Sequence, residues 1–472
     1  MAEASCRVIE AERRLNGEWE MNMRTNTKLF TRFGLLAGCA ALVLAAACST
    51  APGESAQGEA AQGEAAASPA MERAEAASAA APSLAASSIE MGDPEALGFD
   101  TAKLDEIRAA YEADVESGKL PGAYLLIGRN DKVAFAEGFG VQGPDQTTPM
   151  SEETIFRIFS MTKPVVSVTA MKLVEEGKLD IDDPVSKYIP EFANAQILQA
   201  DGTTKPAENE MLVRHLMSHT AGLIYGFVVP TLPLAKLYAE GGENRTDLSS
   251  AEYSSVLAAL PLAAEPGTAW NYSRATDVLG GVIEVASGQS LEDAIAQRIT
   301  GPLGMTDTKF FQDASEAARF AEPKNAALPY YYDYTARTPF MSGGGGLSST
   351  MEDYLRFTLM LANDGTYRGV EIIKPETLAR MRVDETSPEI RSKGLFFPGQ
   401  GMGFGLGFSL VLDDTKQRPG NGTFSWYGIA GTEFWVDPKN DLFMVFGIQD
   451  VALTAEYQRK NRDFIYDAFV GD

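Results

Sequence analysis

The run Pro164-Val165-Val166-Ser167-Val168-Thr169-Ala170-Met171 constrains this chain more than any other, because it is apolar on nearly every side. A helix without a polar face has to be buried, so this one belongs to a core. Pro164 is tolerated only in a first helical turn, where its missing N–H is no loss, and Gly177 is a natural stop. Ser160 and Lys163 therefore stand at or just before the helix N-terminus. Residues i and i+3 share a helical face, so the Lys163 amine can reach back to the Ser160 oxygen. That geometry lets a lysine act as base for a serine nucleophile without any histidine. Such an S-x-x-K spacing is expected about once by chance in a chain of this size, so its meaning depends on its surroundings.

Free lysine has a pKa of about 10.4, and a base working near neutrality must lose about three units, or ~4 kcal/mol. Burial in an apolar site can supply that, and the positive end of the helix dipole acts in the same direction. The same helix end offers backbone N–H groups, that of Ser160 included, to a developing oxyanion.

The 472 residues carry a formal charge of −25, so phosphates would be repelled and a nucleic-acid partner is not expected. All three cysteines, Cys6, Cys39 and Cys48, precede the expected globular part, which leaves it without a disulfide, cysteine metal site or thiol nucleophile. The two histidines, His215 and His219, stand four apart, but no glutamate follows the first, so the H-E-x-x-H zinc signature is missing and no metal is expected. No G-x-S-x-G elbow occurs, and the glycine run 343–346 lacks a following lysine, so it reads as a tight turn rather than a phosphate loop. No cofactor is implied.

Phe33 to Ala47 is an apolar run of 15 residues preceded by Arg24, Lys28 and Arg32, the pattern of an export signal. It ends in Leu44-Ala45-Ala46-Ala47-Cys48-Ser49, which resembles a bacterial lipobox with Ala45 in the usual leucine place. Residues 1–48 are therefore expected to be a lipoprotein-type signal with Cys48 as the lipidated residue; plain signal cleavage is the first alternative and a retained anchor the second. The acidic residues ahead of the signal place the translation start at Met21 or Met23. Residues 49–90 are rich in Ala, Gly, Ser and Glu and lack apolar groups to bury, which predicts a disordered linker. Such a coil spans roughly 35 Å, enough to hold a domain off a membrane. This arrangement predicts a periplasmic protein tethered to the outer membrane by its N-terminal lipid alone.

The folded domain is expected over 91–472. Asp100 caps a helix with an apolar stripe of Leu104, Ile107, Tyr111 and Val115. Ala123–Gly128 and Val133–Gly138 read as a hairpin. Strands return at Gly405–Leu412, Thr432–Val436 and Leu442–Ile448, and a helix starts near Ala455. Strands at both ends around a helical middle predict an α+β fold, with an antiparallel sheet flanked by helices and a helical subdomain.

Ile155 to Lys163 resembles the first motif of the serine β-lactamase and penicillin-binding superfamily, and most of all its class C-like group with the family VIII carboxylesterases. Further runs match in order: Asp182–Tyr188, Leu216–Leu223, Pro266–Ser273, Ser342–Leu347 and Trp426–Thr432. The resemblance implies the β-lactamase/transpeptidase-like fold, with Ser160 as nucleophile and Lys163 as its base. It implies that Tyr272 relays the proton, useful there if cations such as Lys163 lower its pKa. It also implies that the third motif, Trp426-Tyr427-Gly428, supplies the Ile429 N–H as the second oxyanion donor. Two positions depart from lactam-directed members: Arg274 replaces the Asn of Tyr-x-Asn, and Trp426 replaces the Lys of Lys-Thr-Gly. Both changes favour a neutral ester, which makes a carboxylesterase acting on small to medium acyl esters the leading expectation. A β-lactamase or D-Ala-directed peptidase and a non-catalytic cell-wall module are the alternatives. Arg274 and Tyr427 are the candidate substrate contacts.

Overall fold

The structure is a computed structural model, and it describes residues 89–324 and 333–471. The export segment, Cys48 and most of the linker lie outside the described residues.

Helix α1 (Thr101–Glu116) opens on Asp100, whose carboxylate accepts the Ala102 and Lys103 N–H groups, and it buries Leu104, Ile107 and Tyr111. The hairpin follows as β1 (Gly122–Arg129) and β2 (Lys132–Gly140). Its two turn residues, Asn130 and Asp131, both hold positive φ (50° and 66°), the backbone of a two-residue turn whose twist suits a hairpin. Helix α2 (Thr162–Glu175) is the apolar helix, and it is buried along nearly its whole length. Helices α3 (Ser250–Ala258) and α4 (Ala275–Ser287) pack on one another, and α4 packs on α2. Helix α5 (Met351–Ala362) leads into the C-terminal strands β3 (Met402–Phe404), β4 (Ser409–Val411), β5 (Phe424–Tyr427), β6 (Glu433–Asp437) and β7 (Leu442–Gly447), and α6 (Thr454–Ala468) follows them.

These strands form one seven-stranded sheet in the order β2-β1-β7-β6-β5-β4-β3, antiparallel throughout. The N-terminal hairpin joins it through β1 against β7, with Tyr124 opposite Gly447 and Arg129 opposite Leu442. The two ends of the domain thus close a single sheet. One sheet face packs on α5 and, beyond it, on the helical region that holds α2. The other is covered by α1 and α6. The expected strand Gly405–Leu412 is corrected: only Ser409–Val411 (β4) is strand, because residues 405–408 bend between β3 and β4, with Gly407 at a φ of 100°.

Candidate active site

The chain enters α2 through a 3₁₀ turn, Phe159–Met161, so Ser160 precedes the α-helix by one turn. Phe159 is held at a φ of +44°, a conformation that costs a non-glycine residue on the order of 1–3 kcal/mol and clusters at functional sites. The turn is anchored by the Tyr354 hydroxyl, which donates to the Met161 carbonyl at 2.9 Å, and by Thr162, whose hydroxyl accepts the Leu347 N–H at 3.1 Å. These bonds tie the nucleophile's backbone to the rigid helix α5 and to the glycine run.

Lys163 is 1% exposed. Its amine donates to Ser160 Oγ at 3.1 Å, to the Tyr225 hydroxyl at 3.2 Å and to the Gly344 carbonyl at 2.6 Å. None of these partners is a carboxylate. Burial pulls the Lys163 pKa down to about 7, against the attraction of Asp277 and with the help of Arg274. Near neutral pH a good part of the amine is therefore free to accept a proton. Asp277 stands behind it: its carboxylate accepts from Ser342 Oγ at 2.6 Å and the Gly344 N–H at 2.9 Å. That grip positions the Gly344 carbonyl on Lys163. A side chain at 344 would meet the Tyr225 hydroxyl at 2.5 Å, so only glycine lets the turn come this close.

The structure brings Tyr272 to the same amine, with Lys163 Nζ 4.5 Å from the centre of its ring. The condition that cations lower the Tyr272 pKa is not met. Burial dominates and raises it, although contacts with Ser160 and Trp426 act in the opposite direction. Tyr272 is thus held as a neutral phenol, a proton donor at rest rather than a standing base.

Strand β5 docks beside the nucleophile through Gly428. A Cβ at 428 would lie 2.5 Å from the Ile158 carbonyl and 2.3 Å from Thr432 Oγ1. Thr432 Oγ1 donates to that same carbonyl at 3.2 Å, which fastens the turn 428–432 to the approach to Ser160. The Gly428 N–H is used by the Thr432 carbonyl at 2.7 Å, whereas Ile429 presents an N–H with no protein acceptor among the described residues. Trp426 is buried against Tyr272, their ring centres 5.5 Å apart. Tyr427 pairs across the strand with Glu433, and its ring packs 5.2 Å from that of Trp426. Burial raises the Glu433 carboxyl to about 7.

Arg274 is directed to Asp277 and the Tyr225 ring. Its side chain is 12% exposed, reaches Asp277 at 3.5 Å and stacks 4.8 Å over the Tyr225 ring. His219 lies among Trp270, Tyr272 and Phe404. His215 accepts the Leu212 N–H at 3.1 Å. Burial lowers both histidines, His215 to about 4, so both are neutral at pH 7.

The Beta-lactamase family model matches residues 107–463. The chain belongs to that family. Among its relatives, Esterase EstB of Burkholderia gladioli is 32% identical over 377 residues, covering 73% of this chain and 90% of EstB. Lovastatin esterase of Penicillium rubens is 26% identical over 396 residues, 75% of this chain and 96% of that protein. Among solved structures, EstCE1, described as a hydrolase with promiscuous acyltransferase activity, has a TM-score of 0.66 at 28% identity. It covers 78% of this chain and 99% of its own. The β-lactamase/transpeptidase-like fold expected from the motifs is the fold observed.

Within this family frame, several residues of the site are invisible in the sequence pattern. Tyr225 and Asp277 lie far from any of the quoted serine, lysine or third-motif positions, and their type alone gives no signal. Gly344 was legible as a turn, but not as the carbonyl that holds Lys163. Only the folding together of α2, α4 and the glycine run makes them partners.

Proposed function

We propose that this family member is a serine carboxylesterase that works through an acyl-enzyme on Ser160. The observation that carries this reading is the buried Lys163 amine, 3.1 Å from Ser160 Oγ, with hydroxyls and a carbonyl but no carboxylate as hydrogen-bond partners. The neutral amine takes the Ser160 proton as Oγ attacks the ester carbonyl. The Ser160 and Ile429 N–H groups receive the oxyanion, each worth on the order of 2.7–4 kcal/mol. Tyr272, kept neutral by burial, gives its proton to the departing alkoxide and recovers one from the protonated Lys163. Water then repeats the sequence on the acyl-enzyme. The esterase relatives and the absence of a lysine at position 426 support an ester over a lactam. With Arg274 turned to Asp277, no side chain named here is left to attract a substrate carboxylate.

Hydrolysis of p-nitrophenyl butyrate but not of nitrocefin, lost in Ser160→Ala, is the expected result. Turnover of nitrocefin at a comparable rate would reverse the substrate assignment, and ester turnover surviving in Ser160→Ala would remove the nucleophile.

The signal-like run Phe33–Ala47 and the cysteine after it support a second element of the proposal, export and lipid tethering at Cys48 in the periplasm. Radiolabelled palmitate should enter the wild-type protein and not Cys48→Ala. Equal labelling of both would exclude Cys48 as the anchor.

A further inference from the structure

Trp426 is 2% exposed, and its indole N–H has no hydrogen-bond acceptor among the described residues. A buried donor left unpaired costs roughly 1–3 kcal/mol, so its retention beside a reacting centre asks for a reason. The indole is held rigidly: its ring centre is 5.1 Å from Phe404, edge-on, and 6.2 Å from Phe397, stacked. Tyr427 lies 5.2 Å away and Tyr272, the proton carrier, 5.5 Å away. Contact with Trp426 acts to favour the ionised form of the Tyr272 phenol, yet the N–H makes no full hydrogen bond to it at rest.

We propose that Trp426 is a positioning residue for Tyr272, whose indole N–H hydrogen-bonds the phenol oxygen as that oxygen gives up its proton to the leaving alkoxide. The inference rests on the esterase reading above. As the O–H proton passes to the alkoxide, negative charge appears on the tyrosine oxygen. A fixed N–H aimed there becomes a charge-assisted donor and closes on it. The donor is neutral and does not titrate, so it assists the phenolate without repelling the Lys163 ammonium that formed when Ser160 attacked and that returns a proton to Tyr272. An ammonium in this place would push the Lys163 pKa down further.

The test uses leaving groups. A p-nitrophenolate departs without a proton, whereas an alkoxide needs one from Tyr272. The kcat/KM of the full-length enzyme is measured on p-nitrophenyl butyrate and ethyl butyrate, which share the acyl group. Trp426→Phe keeps an aromatic ring and removes the N–H. It should lower kcat/KM about 10- to 100-fold on ethyl butyrate and less than about threefold on p-nitrophenyl butyrate, the range of a hydrogen bond to a charged group. In a Tyr272→Phe background the same substitution should add no selective loss. If Trp426→Phe does not fold, benzothienylalanine at 426 keeps the size and shape of the indole with sulfur in place of the N–H. An equal loss on both esters, or no loss on ethyl butyrate, overturns the role of the N–H and leaves the esterase reading standing. A wild-type enzyme that hydrolyses neither ester overturns both.

Discussion

Lys163 lies over the rings of Tyr225 and Tyr272, at 5.3 and 4.5 Å, and Lys460 lies over those of Tyr111 and Tyr457, at 4.7 and 5.1 Å. The surroundings look alike, a long apolar stem and an amine between two phenols, on opposite faces of the same sheet. The difference is one carboxylate. Lys460 meets Asp114 directly, and the Tyr457 hydroxyl donates to the same carboxylate at 2.7 Å. Burial pushes Asp114 up, but its bonds from Lys460 and Tyr457 outweigh that and hold it below the usual carboxylate range. Lys163 has only neutral partners at its amine, because the oxygens of Asp277 are occupied by Ser342, Gly344 and Arg274. An amine paired to an acid clamps two helices. An amine denied that acid becomes a base.

The comparison is most exposed at Lys163 itself. Lys163→Met should cut kcat/KM on p-nitrophenyl butyrate by about 10²–10⁴-fold, the usual range for losing a general base. Its effect on stability has a defined sign. The folded pKa of Lys163 is depressed to about 7, so between there and the unfolded value the unfolded chain binds more protons. This group therefore weakens the native state below pH 7, and the penalty fades as pH rises toward the free lysine value of about 10.4. In urea titrations, Lys163→Met should be at least as stable as wild type, most so below pH 7. Loss of stability at every pH in Lys163→Met would show that Lys163 is a clamp like Lys460. In the wild type, kcat/KM should rise with pH and level off above about 7 as the amine deprotonates.

Next in size is Gly428→Ala. Its methyl would sit 2.5 Å from the Ile158 carbonyl and push the turn that carries Ile429 away from Ser160. A loss of about 10²–10³-fold in kcat is expected if an oxyanion donor is displaced. Unchanged kcat would mean that the turn yields elsewhere.

Arg274→Met sharpens the electrostatic part. Arg274 depresses Lys163 and neutralises Asp277, so its removal should raise the Lys163 pKa and move the pH–rate midpoint in the alkaline direction. Rates at pH 6 should fall several-fold while those at pH 9 change little. A midpoint that stays put would detach Arg274 from the base.

The smallest catalytic effect is expected at Lys460→Met, with kcat/KM within about twofold of wild type and stability lower by roughly 1 kcal/mol, as for a partly exposed ion pair. Asp114 contributes stability above its unfolded pKa and loses it on acidification, so the gap between the two proteins should close below about pH 4. A gap that persists in acid would assign the loss to packing.

Much of the fold was legible because its signals are local. Asp100 announces a cap, Asn130-Asp131 a hairpin turn, and the Pro164 run a buried helix that opens near Ser160. Ser160 and Lys163 were legible for the same reason, since i and i+3 meet on any helix. What failed depended on context. Arg274 was given a place facing substrate, but a charge takes its direction from its partner, and Asp277 is three residues further along the same face of α4. Whether the Tyr272 pKa falls or rises is not legible either, because sequence cannot weigh burial against a nearby cation.

The sequence by itself determined that a serine and a lysine stand at the mouth of a buried helix, and that a tryptophan stands where lactam-directed relatives have a lysine. The tertiary structure decided what that lysine is. Its protonation depends on which groups from α4, the glycine run and residues 224–226 crowd its amine, and those groups lie 62 to 181 residues away along the chain. Desolvation and charge act through space, so only the folded chain could turn one buried lysine into a base and leave its counterpart on the far face a clamp.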